Sequence, residues 1–124
     1  MVVIAKKTDS TVLAELALQL WNDNTLGSLK NDFEKLADDE NSVCFLKYAD
    51  QKPVGYLEGI FILEAYRHRG YAKELLRYCE KWAKEKHCAE FASDCELGNT
   101  DSFGFHMAMG FEEANRIICF RKQI

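Results

Sequence analysis

Leu57-Glu58-Gly59-Ile60-Phe61-Ile62-Leu63-Glu64-Ala65-Tyr66-Arg67-His68-Arg69-Gly70-Tyr71-Ala72-Lys73 decides the reading of this chain. An apolar run leads into Arg-x-x-Gly-x-Ala, and from there an amphipathic helix begins. A helix start offers unpaired backbone N–H groups and the positive end of the helix dipole, which suit a phosphate group. Gly70 and Ala72 are small enough to let a pyrophosphate reach the backbone, and Arg67, Arg69 and Lys73 add positive charge. Glu58 stands on the strand just upstream. The combination points to an enzyme that holds a phosphate-bearing cosubstrate and deprotonates something beside it.

Outward from this stretch, the helix after the loop carries Ala72, Leu75, Leu76, Cys79, Trp82 and Ala83 on one stripe, which is core packing. Upstream, Val2–Lys6 reads as a strand. Asp9 or Ser10 caps a helix reaching about Trp21, with Leu13, Leu16, Ala17 and Leu20 on one face. Thr25 caps a second helix bearing Leu26, Leu29, Phe33 and Leu36. Val43–Tyr48 is a strand, Ala49–Lys52 a turn, and Pro53–Leu63 a single further strand with proline at its start, where a missing N–H is tolerated. Downstream, Ala89–Cys95 reads as a strand, Thr100–Met109 as a helix stopped by Gly110, and Ala114–Arg121 as a last strand. Alternating strands and helices of this kind give one α/β domain over residues 1–124, with a mixed central sheet and about four helices.

The chain has 124 residues, 48% hydrophobic and 29% charged, a balance that fits a folded domain and not a disordered one. No apolar run is long enough for a bilayer span, and the start is too soon charged for a signal peptide. A net charge of −4 argues against nucleic acid and acidic membranes as partners and fits a cationic acceptor. Five cysteines lack any CxxC spacing. They read as small apolar fillers in a reducing cytoplasm, with no metal site.

The loop resembles the acetyl-CoA loop of the GNAT superfamily of N-acetyltransferases, Arg/Gln-x-x-Gly-x-Gly/Ala. Gly55-Tyr56-Leu57-Glu58-Gly59, Glu80-Lys81-Trp82-Ala83, Ala92-Ser93-Asp94, Phe105-His106 and Met109-Gly110-Phe111-Glu112-Glu113 are similar to the aminoglycoside 6'-N-acetyltransferases among them. The likeness runs from about Pro53 to Lys122 and is weaker around Leu18–Asp23. It implies a GNAT-like fold, acetyl-CoA as cosubstrate, and transfer of acetyl to a primary amine of a cationic acceptor such as an aminoglycoside. An acceptor such as a polyamine or peptide, or a GNAT-like CoA-binding protein with an impaired acceptor site, are the alternatives.

Four tasks define such a reaction: deprotonating the amine, polarising the thioester carbonyl, accommodating the thiolate, and aligning both substrates. Glu58, on an apolar strand, is the candidate base, and its pKa should rise if it faces a pocket; it could equally bind the cationic acceptor or face solvent. Gly59 before Ile60, Phe61 and Ile62 suggests a bulge whose freed N–H polarises the carbonyl. By resemblance, the backbone of these three residues pairs with pantetheine, and His68, Arg69, Gly70, Tyr71, Ala72 and Lys73 cradle the pyrophosphate. The resemblance also gives Asn99 a CoA contact, and Trp21 and Asp94 acceptor contacts; Glu96 could face the same cleft. His106 stands where many GNAT proteins carry the thiolate-protonating Tyr, so acid and positioning roles are both open.

Some positions depart from the family. Asn115 replaces an expected acidic acceptor ligand, and Gly98 and His87 stand in place of Asp and Gly. Only one Pro-aliphatic-Gly-aromatic strand precedes the loop, where the family has two. One strand is therefore expected to be missing, which would reverse the direction of everything upstream. Either Val43–Tyr48 fills the slot or another segment or subunit does. The open edges, with apolar Ile117–Phe120 near the chain end, lead to the expectation of a homodimer.

Overall fold

Between Val43 and Leu63 the chain makes two hairpins, not one. The computed structural model describes Met1–Leu57 and Ile60–Ile124, with Val54–Leu57 described by their backbone. Four strands, β1 (Val2–Ile4), β2 (Phe45–Ala49), β3 (Lys52–Leu57) and β4 (Phe61–Ile62), pair in the order β1-β2-β3-β4, antiparallel throughout. Asp50 and Gln51 join β2 to β3 with φ of 50° and 61°. This is the left-handed pair that a two-residue hairpin requires. The ladder shifts register between Lys47 and Tyr48, opposite Pro53, where no N–H can join it.

The expected single strand Pro53–Leu63 is thus corrected. It breaks into β3 and a two-residue β4, with Gly55 opposite Ile62 and Tyr56 opposite Phe61. The run thus gives the described sheet two strands, β4 being only two residues long, and β2 pairs with β1 on one side and β3 on the other.

Helices cover both faces of this sheet. Helices α1 (Ser10–Leu20) and α2 (Leu26–Asp38) pack Leu13, Ala14, Leu16, Ala17, Leu29 and Phe33 against Cys44, Leu46 and Phe61. Thr25 caps α2 as expected, its Oγ1 accepting from Ser28 N–H at 3.1 Å. Ser10 caps nothing. It is buried in α1, and its hydroxyl donates to Glu34 of α2 at 3.4 Å. On the other face, α3 (Tyr71–Glu85) sets Leu75 against Val2, Phe45 and Ile62, with Ala72, Cys79 and Trp82 at the margin of the cluster. Alternation along β2 sends Phe45 to α3 and Leu46 to α1. Leu75 is fully buried, so Leu75→Ala should cost roughly 2–5 kcal/mol, read as a lower urea midpoint at unchanged slope.

The chain divides into two compact units, Met1–Phe91 and Ala92–Ile124. The second contains α4 (Thr100–Ala108), capped by Asn99 Oδ1 on Ser102 N–H at 3.0 Å. Gly110, at φ +89°, stops α4, with Phe111 N–H returning to His106 O. The strands expected at Ala89–Cys95 and Ala114–Arg121 do not form: neither segment joins a ladder among the described residues. A strand is held by its partner as much as by its own pattern. Residues 92–100 are exposed, and so are Ile117, Ile118 and Phe120, at 74%, 81% and 90%. The cysteine expectation is also corrected: Cys44 is buried and Cys79 half-buried, but Cys88, Cys95 and Cys119 are exposed free thiols.

Candidate active site

The approach to α3 is built by its own side chains. A short 3-10 turn, Glu64–Tyr66, follows β4. Arg67 Nε donates to Ile62 O at 2.9 Å, and its guanidinium stands 5.8 Å from the Phe61 ring centroid. Arg69 donates to Ala65 O at 3.2 Å and stands 5.0 Å from the Tyr66 ring. Each arginine braces the loop with one of its five donors, leaving others for an anion. His68 and Gly70 are left-handed at φ 61° and 79°. Gly70 is the N-cap of α3, and no side chain caps it. A Cβ built there meets nothing within 4 Å, so the φ angle, and not crowding, calls for glycine. The first-turn N–H groups of α3, beside exposed Arg69 and Lys73, form an uncapped positive end that fits a pyrophosphate.

A part-buried ion pair lies under this turn. Lys47 of β2 points to the α3 face, and its Nζ is 2.5 Å from Glu74 Oε2 and 4.4 Å from the Tyr71 ring centroid. Nothing in the sequence pattern singled out Lys47, which reads as an ordinary alternating strand residue.

Glu58 and Gly59, the expected base and bulge, lie outside the described residues. Immediately after them Ile60 has φ 44°, a left-handed conformation that costs a β-branched residue about 1–3 kcal/mol. β4 is last in the sheet order, so its second edge meets no strand among the described residues. That edge can pair with an extended ligand as an added strand would.

In the second unit, His106 of α4 has both ring nitrogens engaged. Nδ1 is 2.6 Å from Ser102 O, which can only accept, so Nδ1 carries the proton. Nε2 of the neutral ring is then the acceptor for Ser93 Oγ at 2.7 Å. The ring packs edge-on to Phe111 at 5.1 Å. This arrangement fixes Ser93, and with it the chain at Asp94. Sequence reading quoted Ser93 only within Ala92-Ser93-Asp94, with no role, and did not single out Ser102, whose spacing four residues before His106 is a signal that could have revealed it. Asp94, Glu96 and Asn115 are exposed. Asn99 is exposed too, and its carbonyl oxygen serves as the α4 cap.

In the first unit, Trp21 closes α1 and lines a cavity of about 310 Å³ with Asn24, Leu29, Asp32, Phe33 and Leu36. Asp32 adds a carboxylate on its rim that sequence reading did not single out. Burial, with a smaller contribution from Glu80, holds the Cys79 thiol above its usual pKa and makes it a poor nucleophile. Among the described residues no acidic, His or Cys cluster could hold a metal ion, and no helix is long and apolar enough to cross a membrane.

The sequence pattern of the acetyltransferase (GNAT) family matches residues 13–111. The chain belongs to the GNAT family. The match crosses from the first unit into the second, so both carry parts of the GNAT domain. Among curated GNAT relatives, an aminoglycoside N(6')-acetyltransferase type 1 from Acinetobacter haemolyticus is 35% identical over 130 residues, 89% of each chain. One from Salmonella typhimurium is 44% identical over 79 residues, 64% of this chain and 54% of the relative. Among solved structures, AAC(6')-Iy in complex with the bisubstrate analog CoA-S-monomethyl-acetylneamine superposes with a TM-score of 0.93. It is 30% identical, and the match covers 100% of this chain and 98% of that one.

Proposed function

We propose that this chain is an acetyl-CoA-dependent N-acetyltransferase that transfers acetyl to the 6'-amine of an aminoglycoside. The observation that carries the reading is its likeness, over the whole chain, to an enzyme solved with an analog joining CoA to an acetylated aminoglycoside. The uncapped α3 turn and the open β4 edge supply the donor side of such a site. The donor pyrophosphate would lie on the N–H groups from Arg69 to Lys73, and the pantetheine arm along Ile60–Ile62.

Chemistry then follows from groups of this chain. Glu58 takes a proton from the acceptor ammonium, directly or through water. A backbone N–H of Ile60–Ile62 polarises the thioester carbonyl. The amine nitrogen attacks the carbonyl carbon, the C–N bond forms, the C–S bond breaks, and the second proton lost by the nitrogen passes to the departing thiolate, giving the neutral amide and free CoA thiol. The amine attacks the thioester directly, with no acyl-enzyme, because no cysteine lies in an identifiable activating motif. His106 fits a positioning role better than an acid role, because its protonated nitrogen is held on the Ser102 carbonyl. Trp21 in the first unit and Asp94, Glu96 and Asn115 in the second are each read as acceptor contacts. Trp21 and Asn115 carry no charge, and a protein with donor binding but little transfer is the reading a silent acceptor panel would favour.

Thiol release from acetyl-CoA, measured against aminoglycosides, polyamines and N-terminal peptides, tests this. Turnover with aminoglycosides above the other classes is expected. CoA binding with no turnover on any amine would leave only a CoA-binding GNAT protein.

We further infer a cytoplasmic homodimer. Ile117, Ile118 and Phe120 are exposed on a chain end that pairs with no described strand. A second copy whose sheet accepts this segment would cover it. Sedimentation equilibrium at tens of micromolar should give twice the 14.3 kDa chain mass, and removal of residues 114–124 should give monomers. A full-length species at the chain mass would reject the dimer.

A further inference from the structure

A charged side chain is buried under α3. Lys47 and Ser10 are the buried polar residues among those described, and Lys47 is 6% exposed. Burial is the largest single influence and opposes its charge, but the Glu74 carboxylate, the N-terminal amine and Tyr71 together raise its pKa above the usual lysine value. It also meets the N-terminal amine of Met1, but the two groups that engage its charge favourably at close range, Tyr71 and Glu74, belong to the first turn of α3. Tyr71 is the first helical residue; Glu74 sits one turn in, and its N–H closes that turn on Gly70 O at 3.0 Å. Glu74 is therefore a negative charge on the turn whose free N–H groups face an anion. Left alone, it would repel a pyrophosphate bound there and cancel part of the attraction of the helix start. Its side chain is 38% exposed, so solvent screens it only in part.

We propose that Lys47 is a positioning residue for the donor: by neutralising Glu74, it sets the affinity of the α3 turn for the CoA pyrophosphate. The inference rests on the reading of this loop as the donor cradle. It assigns to a residue of β2, on the inner side of the sheet, control over an anion held at the helix start. A brace that merely stiffens the fold would make the opposite prediction for Glu74. Breaking a brace from either end weakens binding, whereas removing the carboxylate alone relieves repulsion.

Calorimetric titration of CoA and, separately, of pantetheine, which lacks the pyrophosphate, tests this on wild type, Lys47→Met, Lys47→Arg, Glu74→Gln and Lys47→Met/Glu74→Gln. Lys47→Met should weaken CoA roughly tenfold, the effect of about 1.4 kcal/mol. Lys47→Arg and the double variant should restore affinity, Glu74→Gln should bind CoA at least as tightly as wild type, and pantetheine should be unchanged throughout. Should Lys47→Met fail to fold, the sign for the partly exposed Glu74→Gln decides. Weaker CoA binding by Glu74→Gln, equal losses for CoA and pantetheine, or no effect of Lys47→Met overturns the inference. A wild type that binds no CoA overturns instead the cradle reading beneath it.

Discussion

Gly70→Asp is expected to abolish CoA binding, by at least roughly 100-fold in Kd, while the protein stays folded. The two halves of that result have separate causes. Gly70 is left-handed, and aspartate is among the residues that tolerate this region, so the backbone cost is about 1–2 kcal/mol. Space is no obstacle, because a Cβ at Gly70 meets nothing within 4 Å. The added carboxylate, however, stands at the N-cap of α3, where it can bond the same N–H groups that the pyrophosphate needs and repel the anion as well. A titration of CoA into the variant, with circular dichroism to confirm the fold, reads both halves. A folded Gly70→Asp protein that binds CoA normally would remove the donor from the α3 start.

Glu58→Gln should lower turnover by roughly 10²–10⁴-fold with CoA binding retained. Glutamine keeps the size and the hydrogen-bonding carbonyl but cannot take a proton. For wild type, kcat/KM should rise with pH and level off once the base is free; in Glu58→Gln that rise should vanish. Raised KM at nearly constant kcat would instead place Glu58 on the acceptor, binding its ammonium. Unchanged kinetics with the wild-type pH profile would exclude both roles.

What the sequence revealed followed the range of the interactions. The α3 stripe, the Thr25 cap and the Gly110 stop are set by neighbours within one or two turns, and they stand where expected. The β3–β4 hairpin escaped notice because Val54–Leu63 reads as one apolar run and its break leads to a left-handed isoleucine, a residue with no propensity for that conformation. The strands expected after Cys88 failed for another reason: their pattern is local but a ladder partner is not. The same division holds in the site. Gly70 and its arginines announce themselves by spacing. The Lys47–Glu74 pair and the Ser93–His106 bond join residues 27 and 13 positions apart, and only the fold brings them together. His106 was legible as a residue of interest, but its tautomer, which bears on its role, depends on the Ser102 carbonyl and the Ser93 hydroxyl.

Acetyl transfer to the 6'-amine can be read out with two aminoglycosides that differ only in carrying an amine or a hydroxyl at the 6' position. Thiol release from acetyl-CoA, followed by mass spectrometry of the acceptor, should show a singly acetylated product with the 6'-amine and none with the 6'-hydroxyl. Equal acetylation of both compounds, or of neither while CoA is bound, would contradict it.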